Sequence, residues 1–214
     1  MKSVQENSPK LPAVTTLFNE FVLMYLHVDV DAIQRFVGKL GELDARRAFP
    51  GLRDWSRTKE ARLGIWHAGQ ILRAARDVVA YQLRGFDAMA IYHAALVLWV
   101  YGLLQCGETR HHEVHTPMSE KDLAPCILLD GTENQLVRAF LGHGHGRPGL
   151  MMIQPRGEHS GDLQVFCELS KPRSIMTVAR QVFEGNCPCP FPEDSLPPMI
   201  QNLCELIEDL GNLP

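Results

Sequence analysis

Two adjacent apolar segments dominate the pattern of hydrophobic and polar positions in this chain. Within residues 57–84, Ala61, Ile65, Ala68, Leu72, Ala75 and Val79 recur at alternating intervals of four and three, which aligns them on one helical face. Arg62, Arg73, Arg76 and Asp77 fall on the opposite side. The next segment, residues 85–106, is apolar on every side from position 88 to position 104 apart from His93. A helix of that kind is either the centre of a bundle or a membrane span. Its apolar run sits at the bottom of the spanning range of about 17–25 residues. His93 would need a polar partner near mid-membrane. Arg84 and Asp87 flank one end and Glu108 and Arg110 the other, so no basic cluster marks a cytoplasmic side. The pattern predicts a buried central helix.

Flanking segments extend the helical picture. Residues 12–28 form an apolar stretch with Pro12 near its first turn. Asp29 or Asp31 can cap a second helix, with Ile33, Phe36, Val37 and Leu40 inward and Gly41 at its end. A turn around Phe49, Pro50 and Gly51 leads into the 57–84 helix. Beyond Cys106 comes a polar loop and a short apolar piece at 126–129. Thr132 and Gln135 make a capping box for a helix reaching Leu141. Residues 142–149 (GHGHGRPG), rich in glycine and histidine, continue into 151–170 as loop with room for one short extended segment. Ser170 and Pro172 open a helix with Ile175, Val178, Ala179, Val182 and Phe183 inward, ending at Gly185. Ser195 opens the last helix, with Met199, Leu203, Leu206, Ile207 and Leu210 inward and Gly211 past its end. The predicted fold is all-α: a helical bundle with an irregular Gly/His-rich insert between the central helix pair and the C-terminal helices. Residues 1–11 are predicted to be a disordered segment, and 12–214 a single domain.

Composition adds an asymmetry of charge. The 214 residues carry a net charge of −4, which argues against nucleic-acid binding through the whole surface. Residues 46–84, however, hold nine Lys or Arg against three acids, whereas 184–214 hold six acids and no Lys or Arg. Mutual attraction or solvated faces explain such blocks more simply than a nucleic-acid patch and an acidic activation tail. Cys106, Cys126, Cys167 and Cys204 lie isolated in apolar runs, as small buried hydrophobes do, and Cys187 and Cys189 are too close in sequence to bridge readily. The first residues contain no apolar h-region, so the expectation is no signal peptide and a reducing, intracellular compartment.

Candidate chemistry is thin. His111, His112, Glu113 and His115 approximate a metalloprotease motif, but the final histidine comes one residue early for two imidazoles to share a helical face. The glycines around His143 and His145 lack the Gly-Lys-Ser/Thr of a phosphate loop and the strand–helix setting of a dinucleotide fold. Cys187 and Cys189 form half a zinc site at most, with no partner pair. Trp66, His67, Tyr92, His93 and Trp99 could line a pocket between the two long helices, although core packing explains them more simply. No catalytic, cofactor or metal residues are therefore assigned, and no enzyme is expected.

The 57–106 block carries a further signal. EARLGIWHAGQILRAAR, a short spacer and IYHAALVLWVYGLL together resemble the regulatory, or middle-homology, domain of fungal-specific transcription factors. The likeness is greatest to the branch linked to two-cysteine, two-histidine zinc fingers. Supporting stretches are LMYLHVDVDAIQRFVGKLGE at 23–42, ARRAFPGLRDW at 45–55, LLDGTENQLVRAFLGHGHGRPGL at 128–150 and LPPMIQNLCELIEDLG at 196–211. The resemblance implies an α-helical domain acting in the nucleus on RNA polymerase II transcription by modulating a linked DNA-binding module. Its partners would be the transcription machinery or co-regulators, with homodimerisation among the options. The chain itself carries no zinc finger and no six-cysteine zinc cluster, so zinc and DNA contact would belong to an upstream module. Two other readings remain: a stand-alone helical partner or scaffold protein of the same fold that has lost DNA binding, and a helical enzyme or ligand sensor using the Trp66, His67 and His93 region.

Overall fold

The computed structural model describes residues 11–83, 85–109, 124–154, 163–186 and 198–211, with side chains described except at 107–109, 198–200 and 210–211. Among them the chain is mostly helical, with a small sheet. Helix α1 spans Ala13–His27, α2 Val30–Phe36, α3 Glu42–Trp55, α4 Lys59–Arg76 and α5 Gly85–Thr109. Then follow β1 (Cys126–Leu128), α6 (Gln135–His143), β2 (Arg147–Gln154), β3 (Leu163–Glu168), α7 (Pro172–Asn186) and α8 (Pro198–Gly211).

The helix pair α4–α5 forms the centre. Ala61, Ile65, Ala68, Leu72 and Ala75 are fully buried, as their spacing predicts. Helix α4 is covered on more than that face, since α1, α5, α6 and α7 all pack against it. In α5, residues 93–102 are buried without a break, with α1, α2, α4, α7 and α8 around them. This helix is long and apolar enough to span a membrane by length and composition, but protein covers it instead. Glycines permit the closest approaches. A Cβ on Gly69 would stand 2.5 Å from the Leu129 carbonyl oxygen, and one on Gly102 would collide with that of Leu169.

The expected single helix over 57–84 is shorter. It ends at Arg76, and Val79, expected inward, is 64% exposed in the turn that follows. The cause lies far along the chain. Asn186, buried at the end of α7, donates to the Val78 carbonyl (2.9 Å) and accepts from the Leu83 amide, while its own carbonyl accepts from the Tyr81 amide at 2.7 Å. Tyr81 adopts a φ of 64°, a left-handed conformation that this clamp holds in place.

Several local expectations are corrected. Phe49, Pro50 and Gly51 do not form a turn but lie within α3. Pro50 is on its solvent side, where water can satisfy the carbonyl that loses a helical partner. Asp29 caps α2 by accepting from the Ala32 amide at 2.9 Å; α2 then stops at Phe36, leaving Leu40 exposed beyond it. Helix α6 is capped by Asn134, which accepts from the Val137 amide, and not by a Thr132–Gln135 box. Leu206 is half-exposed, whereas Leu203 and Ile207 face inward. Ser195 lies outside the described residues.

The all-α expectation gives way most clearly at 126–168. Strand β2 pairs in parallel with β1 and antiparallel with β3, giving the order β1-β2-β3. Helix α6 is the crossover that a parallel pair requires. Pro148 sits in the central strand, yet at the end of the β2–β3 ladder, where it still accepts from the Leu169 amide.

Candidate functional site

The polar side of α4 meets the β1–α6–β2 segment through a continuous set of hydrogen bonds. Arg62 donates to the Leu141 and Gly142 carbonyls at 3.2 and 3.3 Å. One turn beyond Trp66, the Gln70 amide donates to the Leu129 and Gly131 carbonyls at 2.7 and 2.9 Å. Arg73 also reaches Gly131, and Arg76 bridges the Met151 carbonyl and Asp130. The Asp130 carboxylate has no exposed side-chain surface and stands 2.5 Å from the Arg76 guanidinium. It also accepts from the Met151 amide at 3.0 and 3.1 Å. Burial pushes its carboxyl up, and the neighbouring Arg76 pulls the other way. Three arginines of the basic block thus hold backbone carbonyls and one buried acid. Neither they nor the described acids of the C-terminal block meet as opposing faces: Glu184 and Glu208 both pair with Arg180.

The five residues considered for a pocket do not converge. Trp66 and Trp99 are core side chains. His67 turns towards Glu20 of α1, its Nδ1 2.7 Å from the carboxylate, and stacks on His27 at 5.9 Å. His93 instead bonds Tyr25 Oη through Nδ1 (2.8 Å) and Gln34 Nε2 through Nε2 (3.1 Å). Glu20 and Tyr25 lie about 140° apart around α1 at 3.6 residues per turn, so the two imidazoles occupy different flanks of that helix. Lys39 holds the Gln34 side-chain oxygen at 2.6 Å, which turns the amide nitrogen to the ring. The amide then donates to Nε2, leaving the ring proton on Nδ1 to donate to Tyr25. Burial, with the Lys39 charge adding to it, lowers the His93 pKa below its ordinary 6.5 and favours the neutral ring. Both ring nitrogens are engaged, so neither stands ready to take a proton from a ligand. Tyr92 is half-buried with its ring 5.8 Å from His93.

The remaining candidates separate similarly. His143 and His145 are exposed on either side of Gly144, whose left-handed φ of 78° ends α6. Gly144 therefore serves as a helix stop, while Gly146 and Gly149 permit close approach to Ile127 and to Cys167 and Phe166. Cys167 and Cys204 are buried as expected, but Cys106 is half-buried with its thiol on the Ser170 carbonyl, and Cys126 is exposed. His111–His115 and the Cys187/Cys189 pair lie outside the described residues. Among the described residues, no group of three or more His, Cys, Asp or Glu could hold a metal ion.

The exposed side of α1 is apolar. On α1, Val14, Phe18, Val22 and Tyr25 are exposed, with Leu11 just before the helix and Leu26 beside them. Phe86 from α5 extends the patch, its ring 5.6 Å from Phe18. Leu17 and Met24 on the neighbouring stripe are fully buried against α4 and α5. Helix α1 therefore has a wider apolar arc than the described residues cover, and its acid, Glu20, lies on the opposite side from Phe18, paired with His67. The spacing of these residues was visible in the sequence; which of the two stripes the core would take was not.

No protein-family model, curated protein or solved structure matches the chain.

Proposed function

We propose that the chain is a regulatory and interaction domain of the fungal transcription-factor type, modulating RNA polymerase II transcription in the nucleus by binding rather than by catalysis. DNA contact belongs to a linked module, and the partners are co-regulators or other regulator subunits. The observation that carries this reading is the charge-free apolar face of α1. Exposed apolar patches of this extent mark interaction sites, while His67, His93 and Asp130 are engaged in bonds inside the fold. The resemblance of residues 57–106 and 128–150 to one regulatory domain adds support, because these two stretches pack together through Gln70, Arg73 and Arg76.

The test is a tethered-reporter assay. Fused to an unrelated DNA-binding module, the chain is expected to shift reporter output, and Phe18→Asp, on an exposed position, is expected to remove the shift. Alone, the chain is expected to bind duplex DNA only weakly and in a salt-sensitive way, because Arg62, Arg73 and Arg76 are turned to backbone carbonyls. Saturable, sequence-dependent binding by the isolated chain would refute the assignment, as would a tethered chain without effect.

A further inference from the structure

We infer that the exposed face of α1 is the self-association surface of this chain, joining two copies as an antiparallel, two-fold pair centred on Phe18. The inference deepens the interaction reading above by naming the partner. Around Phe18 the exposed apolar positions are spaced symmetrically: Val14 and Val22 lie four residues to either side, Leu11 and Tyr25 seven. At 100° per residue the four helical positions, Val14, Phe18, Val22 and Tyr25, fall within an arc of about 80°, and Leu11 precedes the helix. A two-fold axis through Phe18 therefore sets Phe18 against Phe18 of the partner subunit and Val14 against Val22 of the partner subunit, with Tyr25 at one end of the stripe and Leu11, just before the helix, at the other. An isologous contact requires this kind of self-complementarity. A foreign partner would place no such demand on the spacing.

Charge and area agree. The outer stripe carries no charge, so no like-charged groups oppose the pairing, and antiparallel alignment sets opposite helix-dipole ends together. Leu26 and Phe86 border the stripe and enlarge the contact. With an aromatic side chain presenting on the order of 200 Å², the seven side chains leave roughly 600 Å² exposed per chain. A symmetric pair then buries about 1,200 Å², at the lower limit for a specific interface. The pair is accordingly a reversible dimer.

Sedimentation equilibrium of the full chain over a wide concentration range tests this, with circular dichroism to confirm folding. Wild type is expected to show a monomer–dimer equilibrium, and Phe18→Asp to weaken it at least about tenfold with an unchanged helical spectrum. The double variant Val14→Lys/Val22→Glu fixes the orientation. In the antiparallel pair each lysine meets a glutamate, so the double variant is expected to associate more tightly than either single one. A parallel pair would oppose like charges and be lost. A wild-type chain monomeric at the highest attainable concentration, association indifferent to Phe18→Asp, or a double variant weaker than both singles overturns the pairing. If wild type is monomeric while Phe18→Asp still abolishes the tethered-reporter effect, the pairing fails and the interaction reading stands. If the dimer forms as expected but the reporter ignores Phe18, the reverse holds.

Discussion

Replacing Arg76 with methionine isolates the buried charge that ties α4 to the sheet. The substitution keeps the aliphatic length of the side chain but leaves the Asp130 carboxylate without its cation in a position with no exposed side-chain surface. Removing one member of a buried pair costs about 3–5 kcal/mol, most of it the penalty of an uncompensated charge. Two amide contacts from Met151 remain and place the expected loss at the lower end, about 3 kcal/mol. Asp130→Asn should cost less, about 1–2 kcal/mol, because Arg76 is partly exposed and can turn to water. The double variant should be less destabilised than the two single losses added together, which gives a favourable coupling energy for the pair. Urea unfolding followed by tryptophan fluorescence supplies all three values. A pH series adds a second check. In Arg76→Met the carboxyl loses the influence that opposes burial, so it takes up a proton at higher pH and the deficit shrinks on acidification. A loss below about 0.5 kcal/mol in Arg76→Met, or a deficit that grows in acid, would refute the assigned role of this pair.

Three further outcomes follow from the packing. Gly69→Ala gains helix propensity of up to about 1 kcal/mol, yet its Cβ meets the Leu129 carbonyl at 2.5 Å, so a net lowering of the melting temperature is expected; unchanged or raised stability would contradict the close approach. The lowered pKa of His93 means that the unfolded chain takes the proton first, so its contribution is present above about pH 6.5 and is lost as pH falls below that value. His93→Gln should therefore flatten the stability profile on the acid side of 6.5, and a parallel profile would show that His93 does not titrate as described. Removing residues 198–214 uncovers surface that Leu203, Cys204 and Ile207 bury, for a loss on the order of 5 kcal/mol and of soluble protein. A stable truncated chain, together with a detached segment that activates a reporter, would make that end an activation tail.

How much of this was legible in the sequence depends on the range of the forces. The inner faces of α4, α5 and α7 follow from apolar residues at helical spacing, and Ile175, Val178, Ala179, Val182 and Phe183 are all buried. The end of α4 was not legible, because Asn186, more than a hundred residues from Val78, fixes it. Nor was the sheet. Strand β1 has three residues, Pro148 and Gly149 read as breakers, and β2 pairs with a strand on the far side of α6. Asp130 lies in the turn after β1, and its burial comes from the Met151 amide and Arg76, which local sequence cannot show. The arginines of α4 looked solvated because their acceptors are carbonyls, which a charge pattern cannot reveal. For the candidate interaction face the sequence offered the residues themselves and lacked only the direction of the core.

The most direct test of an interaction domain working through α1 compares two exposed apolar residues in the tethered reporter. Phe18 of α1 is 50% exposed and Leu206 of α8 is 46% exposed, so aspartate at either should leave the fold intact. The account predicts that Phe18→Asp abolishes the reporter response while Leu206→Asp retains it, at equal protein levels. Equal responses from the two variants, or loss only with Leu206→Asp, would contradict it.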